Sequence, residues 1–484
     1  MTSRRDAAAL NYLLSRRNVI KGAAGATGAL AVGGAAKHAL ASPRTTRTAA
    51  TRAQGGAIIF TSTQLTPIEE QEKMRNTILA DFQGQVEFIN EEAGPFTDRV
   101  LAESQSGQGS VSLLGGLHGD LATFVARDLL MDLSDLAAEL QPLNFVPGYS
   151  ELSTYGTAGV QYIPWMQATY VMAAHRDALE YLPEGLTEET LSTDLTYDQL
   201  AQWASNINDN LGQQLGFAAA DDGLIHRFFQ GYSYPSFTGG VNTTFTSDGA
   251  VQMWEWFRGA WAFTNPQALT YSNMDQPLLS GEVVLAWDHV ARLITALTEA
   301  PDDFVAFPAP RGPEGLGFMP VLAGLAIPKT APDPEGAMNL IRHLTQPDIQ
   351  LTTLREVAFF PVLELEYPED LPPGVLLESA AVQATTADPA ALESVLPIGL
   401  GEQGGAYNTV FRNVFNRVAL NGEDIPTVLQ AEAANLQEVL NTANAACWAP
   451  DPASNGVCQV GAGLAQGGTP AASPVASPAA TPGS

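Results

Sequence analysis

The stretch between residues 279 and 350 constrains the fold more than any other part of the sequence. An apolar run at 283–286 is followed by Trp287, and a proline-rich loop leads to a second apolar run at 322–329. Asp333 then caps a predicted helix with one apolar face. This order of strand, aromatic residue, loop, strand and helix predicts an α/β chain whose strand ends line a ligand crevice.

Length and patterning extend this interpretation to the rest of the chain. Strand-like and helix-like segments alternate between residues 57 and 165, which predicts a mainly parallel sheet with helices on both faces. The chain has 484 residues, of which 45% are hydrophobic and 15% charged, so it can bury a large core in two or three domains.

The charge balance excludes some classes of partner. The formal net charge is −29, and a surface this acidic repels phosphate backbones and anionic lipid headgroups. We therefore expect no nucleic-acid partner and no binding to an anionic membrane surface. A neutral or cationic small ligand fits the balance, although acidity also serves solubility alone.

The first 56 residues indicate export from the cytoplasm. Ser15-Arg16-Arg17 opens a twin-arginine motif, a weakly apolar stretch follows at 22–36, and Ala39-Leu40-Ala41 is a cleavage site. We expect a signal peptide at 1–41 and a linker at 42–56, and hence a secreted or periplasmic protein without an evident lipid anchor. The alternative is an uncleaved anchor or a basic tail.

The C-terminal region contains the two cysteines. Two thiols cannot make a structural zinc site, so Cys447 and Cys458 are predicted to form a disulfide in a loop at 447–460 if the compartment is oxidising. Residues 461–484 are rich in Ala, Pro, Ser, Thr and Gly, which is typical of a disordered low-complexity tail.

No catalytic motif was found. The sequence has no H-E-x-x-H and no G-x-S-x-G. A G-x-G-x-x-G match at 399–404 lacks the surrounding βαβ unit of a dinucleotide site. The prediction is a binding protein, not an enzyme, with no cofactor, metal or nucleotide. A glycosidase remains an alternative, because paired carboxylates cannot be located from sequence.

Aromatic and small polar residues at predicted strand ends and crossing points are the remaining signal. A sugar offers C–H faces to aromatic rings and hydroxyl groups to polar side chains. The candidate ligand-binding residues are Thr63, Gln64, His118, Trp165, Gln167, Tyr232, Trp287, Phe360 and Tyr407.

Several sequence segments, taken in order, resemble segments of the family-1 extracellular solute-binding proteins of carbohydrate ABC transporters, the maltodextrin-binding type. They cover roughly residues 57–446. The segments are GVQYIPWMQATYVMAAHRDAL at 159–179, LTYDQLAQWA at 195–204, FTSDGAVQMWEWFRGA at 245–260, LSGEVVLAW at 279–287, FPAPRGP at 307–313, AGLAIPK at 323–329, PEGAMNLIRHLTQPDIQ at 334–350 and ALNGEDIPTVLQAEAANLQEVL at 419–440.

The resemblance implies a two-lobed periplasmic-binding-protein-like fold of type II, with discontinuous lobes, a hinge and an interlobe cleft. Lobe 1 would comprise 57–165 and 323–358, and lobe 2 would comprise 166–322 and 359–446.

The resemblance also implies a function: a monomer that binds a carbohydrate and delivers it to ABC permease subunits. Five residues match positions that contact sugar in that family: His118, Trp165, Gln167, Trp287 and Tyr407. The same receptor fold with a polyamine or another cationic solute remains an alternative.

Overall fold

The computed structural model describes residues 57–146 and 148–464. Its strands are β1 (Ile58–Ser62), β2 (Val86–Asn90), β3 (Leu113–Leu117), β4 (Ile163–Ala168), β5 (Tyr170–His175), β6 (Leu215–Phe217), β7 (Leu285–His289), β8 (Phe304–Phe307), β9 (Leu316–Phe318), β10 (Val321–Ala326) and β11 (Ala391–Glu393).

The helices surround these strands. They are α1 (Ile68–Lys73), α2 (Ala93–Ser106), α3 (His118–Val125), α4 (Ser134–Leu140), α5 (Tyr149–Leu152), α6 (Leu191–Asp194), α7 (Tyr197–Leu211), α8 (Ile225–Phe228), α9 (Tyr234–Thr238), α10 (Asp248–Trp261), α11 (Asp275–Ser280), α12 (Ile294–Glu299), α13 (Pro334–Leu344), α14 (Pro347–Val357), α15 (Pro373–Thr386), α16 (Gly404–Phe415) and α17 (Ile425–Ala443). No helix in this part of the chain is both long and apolar enough to span a membrane.

Two sheets organise the fold. The first has the order β2-β1-β3-β10-β4, and the second has the order β6-β7-β5-β8. We call the parts built on them the first lobe and the second lobe. β1 runs parallel to β2 and β3, but β10 is antiparallel to β3 and β4. β5 is likewise antiparallel to β7 and β8.

Both sheets are therefore mixed. In the first sheet, β1, β2, β3 and β4 run in one direction and β10 alone is reversed, so the prediction of a mainly parallel sheet holds for these four strands. Strand–helix alternation sets the direction of β1, β2 and β3, which follow one another along the chain. It gives no information about β10, which joins the first sheet after the excursion through the second.

The two lobes are joined by crossing segments. Thr169 alone separates β4 from β5, and its hydroxyl donates to the carbonyl of Met319 at the crossing between β9 and β10 (3.1 Å). A third crossing passes through Phe360, whose backbone exchanges hydrogen bonds of 2.8 and 3.0 Å with Gln167. The fold is thus the expected two-lobed one with a hinge.

The exact lobe boundaries stay a prediction. The predicted segments at 1–56 and most of the predicted tail at 461–484 lie outside the described residues, but disorder at 461–464 is wrong, because Gly461 and Gly463 donate to the carbonyls of Asn242 and Thr243.

Local sequence signals explain several helix starts. Thr196 and Gln199 form a capping box at α7, Ser247 accepts from the Ala250 amide at α10, and Asp333 accepts from the Gly336 amide at α13. Thr66 and Glu69 have the spacing that predicts a capping box, but this prediction is wrong, because α1 begins at Ile68 after Pro67 and no side chain caps it.

Candidate functional site

A cavity of about 550 Å³, here called the strand-end cavity, lies between the lobes. Its first-lobe side is formed by residues that follow β2 and β3, and parallel strands direct such residues into a crevice. Its lining comprises Ala93, Gly94, Thr97, Asp98, Leu101, Leu117, Gly119, Asp120, Thr123, Arg127, Arg227, Leu396, Pro397, Leu400, Gly401, Gly404 and Asn408. The lobes meet at its edge, where a Cβ atom built on Gly119 would lie 3.0 Å from the carbonyl oxygen of Pro397.

On the first-lobe side, a hydrogen-bond chain ends at the carboxylate of Asp120, and of its members only Asp120 lines the cavity. Gln64 Nε2 donates to Thr63 Oγ1 (3.0 Å), and Thr63 Oγ1 donates to Asp120 Oδ2 (3.1 Å). The amide of Leu117 also donates to Asp120 Oδ2 (3.3 Å), at the amino end of α3. Burial raises the pKa of Asp120, while these hydrogen bonds act in the opposite direction. Asp120 therefore offers a hydrogen-bond acceptor to the cavity, and Arg127 on the same wall offers donors.

An aromatic group supports this wall from behind. The His118 ring stacks on Tyr155 with centroids 4.3 Å apart, and its Nδ1 lies 2.9 Å from the hydroxyl of Tyr162. His118 is 3% exposed, and burial lowers its pKa to about 3. The imidazole is therefore neutral at physiological pH.

The second-lobe wall is a hydrogen-bond chain that begins at a cation. Arg227 Nη1 donates to Gln230 Oε1 (2.9 Å), and Gln230 Nε2 donates to Asn408 Oδ1 (3.0 Å). Gln230 is 2% exposed, so the chain is fixed within the lobe. Burial lowers the pKa of Arg227, but arginine starts so high that it stays charged.

A glycine-rich loop positions this wall. Residues 399–404 are the G-x-G-x-x-G match of the sequence, and they lead directly into α16. Gly399 and Gly401 have φ of +71° and +50°, which glycine adopts at little cost. Gly401 and Gly404 line the cavity.

A second cavity of about 530 Å³, here called the crossing cavity, adjoins the crossing segments at Gln167 and Pro361. Its lining includes Glu364, Glu366 and Glu393 beside the rings of Tyr149 and Tyr367. Burial, reinforced by Glu151, raises the pKa of Glu393 to about 7. This cavity therefore has acidic and aromatic walls.

The described residues contain no cluster of three or more His, Cys, Asp or Glu side chains able to hold a metal ion. The strand-end cavity is a cleft with polar walls, set between two hinged lobes. Such a cleft holds a solute by closing over it.

Comparison of the sequence with models of protein families identifies the family. A family model described as "Bacterial extracellular solute-binding protein" matches residues 73–371. The chain belongs to this family. Its members act outside the cytoplasmic membrane, in the periplasm or the extracellular space. No curated protein sequence matches the chain.

Solved structures of solute-binding proteins share the fold. Maltose-bound MalE3 of T. maritima is 18% identical with a TM-score of 0.60, over 79% of this chain and 100% of that one. The sugar-binding protein MalE of Xanthomonas citri is 16% identical with a TM-score of 0.63, over 80% and 98%. UgpB of Mycobacterium tuberculosis, in complex with glycerophosphocholine, is 16% identical with a TM-score of 0.60, over 80% and 99%.

Within this solute-binding protein, the predicted site residues fall into two groups. Thr63, Gln64 and His118 lie together behind the first-lobe wall, and none of them lines the strand-end cavity. Their contact with a ligand stays a prediction. The other predicted residues are buried among protein atoms.

Trp287 was expected at the end of its strand, and that placement is wrong. β7 continues through His289, so Trp287 is its central residue. Its side chain is 0% exposed and stacks on Tyr170 with centroids 4.8 Å apart. A ligand contact by Trp287 stays a prediction, but this packing favours a role in the core of the second lobe.

Tyr407 and Tyr232 are also held by protein partners. Tyr407 is the fourth residue of α16, and its hydroxyl donates to Asn242 Oδ1 (2.9 Å). The Tyr232 hydroxyl lies 3.0 Å from Thr169 Oγ1 and accepts from the Tyr170 amide (2.9 Å). Tyr232 thereby fastens the second lobe to a crossing segment.

Trp165, Gln167 and Phe360 lie in the core and the hinge. Trp165 is 0% exposed and packs on Phe60. Gln167 Nε2 donates to the carbonyl of Pro361 (2.9 Å), and Tyr149 donates to Gln167 Oε1. Gln167 therefore links two crossing segments and lines the crossing cavity.

The Cys447–Cys458 disulfide is confirmed. It follows α17, and Gln437 of that helix donates to the carbonyl of Cys458 (3.0 Å).

Sequence reasoning missed Asp120, Arg227, Gln230 and Asn408. The available signal was the glycine-rich loop at 399–404, which precedes Asn408, and the occurrence of Asp120 directly after a predicted strand.

Proposed function

We propose that this protein is the substrate-binding protein of an ABC importer, which holds a sugar or oligosaccharide between its lobes and delivers it to a membrane permease. The observation that carries the proposal is the strand-end cavity, formed jointly by both lobes. A ligand bound there contacts both lobes only when they are closed, so it stabilises the closed state. A permease distinguishes loaded from empty receptor by that change.

The polar walls support a hydroxylated ligand. Asp120 offers an acceptor on the first lobe, whereas Arg227 and Asn408 offer donors on the second. Sugar hydroxyl groups both donate and accept, so they can be bonded from both sides. Maltose is bound by the T. maritima protein of the same fold.

Export by the twin-arginine route, binding without turnover and a monomeric receptor complete the proposal. The family consists of binding proteins. In the strand-end cavity both lining carboxylates, Asp98 and Asp120, come from the first lobe. A glycosidase instead needs two carboxylates that flank the bond it cleaves.

A cationic solute is a second candidate, and the crossing cavity favours it. Three glutamates and two tyrosines line that cavity. Carboxylates pair with an ammonium group, and aromatic faces attract it. Polyamines are the simplest ligands of this kind.

A thermal-shift screen against sugars, polyamines and amino acids tests the proposal, because a ligand that binds only the native state raises the Tm. We expect one or more sugars to raise it. A rise with polyamines alone would replace the sugar by a cationic solute. Chromatography of the bound sugar after prolonged incubation would reveal hydrolysis, which would contradict a pure receptor.

A further inference from the structure

Arg227 gives the second-lobe wall a charge that a neutral sugar does not require. A guanidinium group carries five N–H donors and no acceptor. Gln230 takes one of these donors at 2.9 Å, and the side chain lines the strand-end cavity. A cation thus lies in the cleft of a chain with 52 acidic and 23 basic residues.

The direction of the hydrogen-bond chain from Arg227 determines which end of the Asn408 side chain faces other partners. Because Arg227 can only donate, the Gln230 oxygen must face it, and the Gln230 NH2 group then donates to Asn408 Oδ1 (3.0 Å). The NH2 group of Asn408 is therefore the end that remains for other partners. Asn408 lines the cavity as well, so both residues offer N–H donors there.

A ligand group that only accepts hydrogen bonds matches this wall. Phosphate and carboxylate oxygens meet that requirement, and charge-assisted bonds to arginine are stronger than neutral ones. Two helices, α2 and α16, also begin at the cavity with Ala93 and Gly404, and their amino ends favour negative charge. The opposite wall carries both signs of charge, since Asp98 and Asp120 favour hydroxyl donors and Arg127 is a further cation.

We propose that the solute is a hydroxylated molecule with an anionic oxygen group, a phosphate ester or a carboxylate, and that Arg227 and Asn408 bind this group. This inference rests on the proposed function, because it names the chemical class of the solute in the same cavity. The net charge of −29 disfavours anions at long range, but screening confines that repulsion to about 10 Å at ordinary ionic strength. Contacts inside the cleft then determine the affinity.

Isothermal titration of the purified chain with matched pairs tests the inference. The pairs are glucose with glucose 6-phosphate, glucose with glucuronate, and glycerol with glycerol 3-phosphate, in a buffer free of phosphate and sulfate. We expect an acidic member to bind at least about tenfold more tightly than its neutral partner. The glucose 6-phosphate and glucuronate arms distinguish a phosphate ester from a carboxylate.

Three variants locate the effect. Arg227→Met should remove the preference for the acidic member, Arg227→Lys should keep part of it, and Arg355→Met, on the partly exposed surface of α14, should leave it intact. The Tm of each ligand-free variant shows whether it is folded. If Arg227→Met does not fold, Arg227→Lys still tests whether the guanidinium group determines the preference.

The contrary outcomes separate the two proposals. Equal binding of neutral and acidic members, or an unchanged preference in Arg227→Met, overturns the anionic solute and leaves the sugar receptor standing. Binding of no member of any pair overturns the anionic solute and leaves a receptor for oligosaccharides standing. A rise in Tm with polyamines alone, in the thermal-shift screen, contradicts both.

Discussion

The hydrogen-bond chains at the two walls of the strand-end cavity are built on the same plan with opposite polarity. The first-lobe chain runs from Gln64 through Thr63 to the carboxylate of Asp120, and the second runs from the guanidinium of Arg227 through Gln230 to Asn408. An amide side chain can donate or accept, so amides alone leave a direction undefined. In each hydrogen-bond chain the charged residue determines the direction, and closing the lobes brings the acceptor Asp120 to the side opposite the donors Arg227 and Asn408.

The walls also differ in what supports them. The second-lobe wall rests on an aromatic core in which Trp287 contacts Tyr170, Phe228 and Tyr232. The first-lobe wall rests on His118, Tyr155 and Tyr162, which share hydrogen bonds as well as ring contacts. The second wall should therefore depend on packing and the first on protonation.

The largest expected effect comes from Trp287→Ala. Because the side chain is 0% exposed within the second-lobe core, its loss should lower the free energy of unfolding by about 3–5 kcal/mol. Urea unfolding followed by circular dichroism measures this. A variant with unchanged stability but lost ligand binding would instead show that Trp287 contacts the ligand.

His118→Phe tests whether the first-lobe wall depends on protonation. Burial lowers the pKa of His118 to about 3 in the folded state, whereas the unfolded value is about 6.5. The unfolded chain therefore binds a proton first as the pH falls below 6.5, and stability is lost progressively down to about pH 3. At pH 5 this amounts to about 2 kcal/mol.

Phenylalanine keeps the stack on Tyr155 and removes the titrating ring. His118→Phe should therefore lose about 2 kcal/mol less than the unmodified chain between pH 7.5 and pH 5. Urea unfolding at both pH values gives the difference. An equal loss in the two proteins would contradict the assignment of this pH dependence to His118.

Asp120→Asn should weaken ligand binding by about tenfold, because it replaces a charged acceptor by a neutral one. The effect should fall on hydroxyl groups of the ligand and leave any preference for its acidic group unchanged. Asp98→Asn, on the same wall but exposed, should weaken binding less. Equal effects of the two variants in isothermal titration would count against a special role for the Thr63–Asp120 bond.

The smallest expected effect concerns the contact between the walls. Gly119→Ala places a methyl group 3.0 Å from the Pro397 carbonyl, which should disfavour closure and weaken binding about threefold. Gly94→Ala adds the same methyl group where nothing lies within 4 Å and should change binding less. Small-angle scattering should show a more open ligand-free form for Gly119→Ala only.

The fold was accessible from the sequence because its signals are local. Capping residues such as Thr196, Ser247 and Asp333 and runs of apolar residues are read within a few positions. The site was harder to predict from the sequence, because the first polar residue after an apolar run was taken as the end of a strand. Asp288 resembles a loop residue, yet it is 0% exposed and accepts from the amides of Met274 (3.0 Å) and His289 (2.8 Å).

Because these two amides satisfy the Asp288 carboxylate, β7 continues through this residue and Trp287 lies in the core. Burial also raises the pKa of Asp288 to about 7. Arg227 and Asn408 could not have been paired from sequence, because they are far apart in the chain and meet only through Gln230. Their relation depends on tertiary packing, which periodicity does not encode.

The C-terminal loop has a practical consequence for anyone who builds a fluorescent sensor from this receptor. The carboxylate of Asp451 accepts from the amides of Val241, Asn242 and Thr243, and Asn242 in turn holds the hydroxyl of Tyr407 one residue before Asn408. Gly461 and Gly463 donate to the carbonyls of Asn242 and Thr243. A reporter domain should therefore be fused after residue 464. A junction directly after α17 would remove the contacts that hold Asn242 and Tyr407 beside Asn408, and would so weaken the fluorescence response to the ligand.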